Sequence, residues 1–147
     1  MPVPAGMRRL LRIRELQEEQ SRSMLESALQ ELEQLRATLA AVLRRATQAR
    51  SLIHQSAYTG EPLDRVAGLE EQGMAARCSD HVAHRIDAAE QHTLELRAHY
   101  LSTRVERRQA ETLIANAREI DARDGAKEDQ NAADERFLCL KSHPAKR

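Results

Sequence analysis

The segment CSDHVAHRID places Cys78, His81 and His84 at i, i+3 and i+6, residue types that ligate zinc or carry protons. On a helix, successive members stand about 60° apart and the set spreads over roughly 9 Å of axis. Three such side chains do not converge on one point. Solvated histidines on a helix explain the segment, so no metal or cofactor is expected. His92 and His99 lie a heptad apart and read as a solvated or seam-flanking stripe. The chain carries no GxGxxG, Walker, GxSxG or HExxH motif, the arrangements that cradle phosphates, expose a nucleophile or hold a catalytic zinc. No enzymatic activity is expected.

A second constellation is MRRLLRIRELQEEQ, which puts Arg8, Arg9, Arg12 and Arg14 into the opening turns of a helix. A helix N-terminus carries partial positive charge, and an exposed cation there is unfavourable by about 0.3–1 kcal/mol. Nucleic acid would suit the arginines, but Leu and Ile separate them, no aromatic side chain is near for base stacking, and the formal net charge is +0. A membrane-surface helix would need a longer basic stretch than one that meets Glu15, Glu18 and Glu19. Ordinary surface charge at a fraying terminus is the plain alternative. A basic and apolar surface that docks a protein partner is the reading favoured here.

These residues must be carried by helices. Charged residues make up 31% of the 147, with one Phe, two Tyr and no Trp; this is long-helix or coiled-coil composition without the bulky side chains of a globular core. Cys78 and Cys139 are far apart and suggest neither a disulfide framework nor a zinc knuckle. No run approaches the roughly 18 apolar residues of a membrane span. A cytoplasmic location is expected, with membrane association only through partners.

The fold expected is all-α, two long helices forming an antiparallel coiled-coil hairpin. From Leu25 the three-four spacing reads Leu25, Ala28, Leu32, Leu35, Leu39, Val42, Ala46, Ala49, Ile53, apolar throughout, the signature of a seam facing another helix. Upstream, Met7, Leu10, Leu11, Ile13 and Leu16 are denser and then give way to polar residues, so the seam is predicted to slip near Ser21. The first helix is predicted over 7–56, roughly 75 Å long. Gly60, Pro62 and Asp64 predict a turn over 57–62. The second helix is predicted over 63–140, with breaks near Gly68, Gly73 and Gly125. Its seam reads Ile86, Ala89, Thr93, Leu96, Tyr100, Thr103, Arg107, Ala110, Ile114, Ala117, while Val66, Leu69 and Ala76 fit another phase. Residues 1–6 and 141–147 are predicted to be a disordered leader and tail. The leader admits Met7 as the true start. Folding back at Gly60 sets residue i against roughly residue 120 minus i; the second helix then overhangs the N-terminus, and a basic, greasy tip forms there.

MRRLLRIRELQEEQ, the heptad helix, the turn, and a second helix bearing RVERRQAETL and ADERFL together resemble the FliJ/YscO family of type III secretion. That resemblance implies a cytoplasmic hairpin stalk, inserted into the hexameric export ATPase and linking it to the export gate protein, with secretion chaperones as further partners. It also implies that Met7, Arg8, Arg9, Leu10, Arg12, Arg107, Arg108, Glu111 and Leu113 contact the ATPase ring. The Pro-rich leader and the glycine-rich stretch YTGEPLDRVAGLEEQG depart from the family's pattern. The alternative is a coiled-coil adaptor or secretion chaperone that binds partners along its helices.

Overall fold

A computed structural model describes residues 3–142. It contains two helices, α1 (Ala5–Thr59) and α2 (Pro62–Ser142), and no strand among the described residues. The chain is a helical hairpin that divides into two compact units, Gln20–Leu101 and a second that unites residues up to Glu19 with those from Ser102.

The unit Gln20–Leu101 contains the turn. Gly60 adopts φ 72°, the left-handed conformation that glycine takes without steric cost, and its N–H donates to the Ser56 carbonyl at 2.9 Å. Pro62 opens α2, where a missing N–H costs nothing, and Asp64 sits in the first turn against the positive end of the dipole. The helices then pack antiparallel. All nine seam positions from Leu25 to Ile53 are buried or half-buried. Leu32 and Leu35 of α1 meet Val82 and Ile86 of α2, with Leu39 and Ala89 alongside. Ion pairs Arg36–Glu90 (3.2 Å) and Arg45–Glu71 (2.5 Å) flank this core. Exposed pairs of this kind contribute about 0–1 kcal/mol each, so the apolar cluster dominates the packing. Thr93 is buried on the seam, and its hydroxyl donates to the Ala89 carbonyl at 2.8 Å.

Below Ile86 the α2 seam differs from the sequence expectation. Val66 and Leu69 are 54% and 52% exposed, Ala76 is exposed, and Gly68, Ala75 and Val82 are buried in their place. Proximity of the two backbones is the reason. A Cβ on Gly68 would lie 2.7 Å from Ile53 Cγ1 and 3.1 Å from the Ala49 carbonyl oxygen, so any larger residue requires Ile53 and the facing backbone to shift. No break occurs at Gly68, Gly73 or Gly125, and α2 is continuous through all three; a helical glycine costs about 1 kcal/mol relative to alanine, too little to interrupt a helix held elsewhere.

In the other unit, α1 starts at Ala5 rather than Met7, with the Pro4 carbonyl accepting from Met7 N–H at 3.0 Å. The expected slip near Ser21 is absent. Half-buried Met7, Leu11, Arg14 and Glu18 keep the three-four spacing into buried Ser21 and the apolar run beyond it. On α2, Thr103, Ala110 and Ile114 are buried, and Arg107 and Ala117 are half-buried. From Ala122 to Ser142 α2 is exposed apart from Gly125. Ala5, Gly6, Lys141 and Ser142, expected in the leader and tail, are helical; residues 1, 2 and 143–147 lie outside the described residues.

Candidate partner interface

The unit formed by the first turns of α1 and the distal part of α2 holds the residues singled out as partner contacts. Their side chains divide into two groups. Met7 is half-buried on the seam, and so is Arg107. Arg8, Arg9, Arg12 and Arg108 are exposed, as is Leu113 at 52%, and Leu10 is partly covered at 39% exposure.

Arg107 is engaged within the chain. Its guanidinium donates to Glu18 of α1 and to Glu111 one turn on along α2. Arg14 donates to Glu106 across the helices. Arg107 and Glu18 retain 25% and 16% of their side-chain exposure, so this charged layer is partly shielded from solvent. The hydrogen bond to Glu18 raises the Arg107 pKa above its ordinary value, partial burial opposes the shift, and the charges of Glu18 and Glu111 assist it. A raised pKa keeps the Arg107 guanidinium charged until pH rises past the ordinary arginine value, so its charge does not switch near neutral pH. Arg107 thus forms part of the hairpin's own polar seam, and exposed Glu111 pairs with it along α2.

The second group faces outward. Among the described residues, no ion pair engages Arg8, Arg9 or Arg12. Leu10 and Ile13, 39% and 46% exposed, lie between them. On α2, Val105, Arg108, Gln109, Thr112 and Leu113 line an open, largely apolar groove. Each helix therefore offers a surface on which apolar area and guanidinium groups alternate, a combination enriched where proteins bind proteins.

Sequence reasoning missed Arg14, Glu18 and Glu106 as a seam layer, because a charged residue carries no hydrophobic periodicity. Their signal was available in the heptad phase: Arg14 and Glu18 stand at three-four spacing below Ser21 and Leu25. Cys78, His81 and His84 are exposed in the other unit, and no group of three or more potential ligands gathers among the described residues.

No family model, curated protein or solved structure matches the chain.

Proposed function

We propose that the chain is a non-enzymatic stalk component of a type III secretion export apparatus, flagellar or injectisome, that inserts into the export ATPase ring and couples it to the export gate protein. The resemblance of its sequence to the FliJ/YscO family motivates this reading, and the helical hairpin is the architecture that the resemblance implies. The observation that carries it is the outward set Arg8, Arg9 and Arg12 beside Leu10 and Ile13, cations with no acidic partner among the described residues. Arg14 has a structural reason to be there in Glu106; the other three do not. Acidic loops lining a ring would supply the missing counter-charges through salt-sensitive contacts. Nucleotide hydrolysis belongs to the ring, and this chain modulates it. Attachment to the cytoplasmic face of the apparatus runs through partners, since no helix among the described residues is long and apolar enough to cross a membrane.

The test is Arg8→Glu/Arg9→Glu/Arg12→Glu in the full chain, with helical content monitored by circular dichroism. Loss of ATPase stimulation and of secretion with unchanged helicity is expected; unchanged stimulation and secretion would overturn the assignment.

A second reading, a coiled-coil adaptor or secretion chaperone, is favoured by Phe137, Leu138 and Leu140, which stand 62%, 63% and 77% exposed on α2. Pull-down with the export ATPase separates the two, because an adaptor has no need to bind the ring.

A further inference from the structure

The face of α2 that receives α1 continues past the start of α1. Its three-four spacing runs through buried Ala110 and Ile114, then half-buried Ala117 and Asp121, and on through exposed Asp124, Glu128, Asn131, Glu135 and Leu138. On this face the continuation presents Asp124, Glu128 and Glu135 and ends in apolar residues, while Arg123 and Arg136 lie off it and Lys127 lies beside Asp124. Among the described residues Glu128, Asp129, Asp134 and Glu135 have no ion pair, and Asp124 has Lys127 at a loose 4.0 Å. Phe137, Leu138 and Leu140 follow, all largely exposed. Like charges at helical spacing, such as Asp124 and Glu128, destabilise a helix left by itself. A helix presenting cations and apolar side chains together would complete the face.

The first turns of α1 have that composition: Arg8, Arg9 and Arg12 around Leu10 and Ile13. Within one molecule they cannot supply it. The antiparallel register sets Arg8 near Leu113, roughly four turns of α2 short of Glu128. A neighbouring molecule has no such restriction.

We propose that the exposed continuation of α2 docks the first turns of α1 from a second copy of this chain. The partner's arginines meet the acids from Asp124 to Glu135, and its exposed leucine and isoleucine lie toward Phe137 and Leu138. Each copy carries both halves of the contact, so a two-fold axis satisfies both at once in a dimer, whereas a head-to-tail chain of copies leaves one half open at each end. Charge dominates the contact, which is therefore weak and salt-sensitive. Self-association and any other contact made by Arg8, Arg9 and Arg12 exclude one another. The inference stands apart from the export reading, since it needs no ATPase.

The experiment is analytical ultracentrifugation of the full chain under reducing conditions, at low and high salt, with helical content checked by circular dichroism. A concentration-dependent dimer that dissociates as salt rises is expected. Arg8→Glu/Arg9→Glu/Arg12→Glu and, separately, Glu128→Arg/Asp134→Arg/Glu135→Arg each weaken dimerisation about tenfold or more. Mixing the two charge-reversed chains restores association, because every reversed contact then meets its complement. Phe137→Ser/Leu138→Ser weakens it without altering the salt dependence. A wild-type chain that stays monomeric at low salt and high concentration would overturn the proposal, and so would reversed chains that dimerise like wild type or fail to pair when mixed.

Discussion

The two units of the hairpin use the same heptad geometry with different chemistry. In Gln20–Leu101 the seam is aliphatic, with Leu32, Leu35, Val82 and Ile86 packed in one cluster. In the unit built from the N-terminal turns of α1 and distal α2, seam positions hold Arg14, Glu18, Thr103 and Arg107, and the buried apolar side chains are Ala110 and Ile114. Aliphatic burial supplies stability without direction, at about 25 cal/mol per Å². Charged seam pairs add little net stability, because desolvation offsets their attraction, but they can discriminate between registers. One unit holds the helices together. The other constrains which residues meet, and it leaves nearby arginines outward.

Breaking the aliphatic seam should have the largest effect. Leu35→Ala, at a side chain 7% exposed, is expected to cost about 2–5 kcal/mol in denaturant unfolding. Next comes the close approach at Gly68. Gly68→Ala should destabilise by about 1–3 kcal/mol although alanine is the better helix former, because the new Cβ meets Ile53 and the Ala49 carbonyl; a rise in stability would contradict the packing described. The same substitution in the other unit should act with opposite sign. A Cβ on Gly125 meets nothing within 4 Å, and Gly125→Ala should stabilise by about 0.5–1 kcal/mol.

The charged layer gives the smallest net effect and the sharpest comparison. Arg107→Leu alone should destabilise, leaving Glu18 half-buried without its main partner. Glu18→Leu/Arg107→Leu should recover that loss and remove part of the salt dependence of unfolding. Failure of the second change to rescue the first would mean that the pair is not coupled. Hydrogen exchange at residues 105–114 would report the same cycle locally.

Much of this hairpin was legible in the sequence. Unbroken apolar heptads from Leu25 to Ile53 and the Gly60–Pro62–Asp64 turn admit few other folds, and the α2 seam from Ile86 to Ala117 followed from the same spacing despite its threonines and Arg107. What escaped was the chemistry of small and charged seam residues. Val66 and Leu69 outweigh Gly68 and Ala75 in any hydrophobic pattern, yet the approach of the helices near the turn excludes large side chains. The polar layer escaped for the converse reason: Arg14 and Glu18 look like surface residues until Glu106 and Arg107 stand opposite them. Of the proposed partner contacts, Arg107 and Glu111 proved to be engaged within the chain, which spacing along one helix does not reveal.

Antiparallel pairing in a fixed register underlies each of these arguments. Nitroxide labels at positions 36 and 90, where Arg36 pairs with Glu90 in the structure, test it most directly in a chain with Cys78 and Cys139 replaced by serine. Pulsed dipolar spectroscopy should give a single short distance, set by a helix separation of about 8–10 Å plus the label tethers, and unchanged by dilution with unlabelled protein. A separation on the order of 80 Å, as in one uninterrupted helix, or a short distance that vanishes on that dilution, would contradict the hairpin.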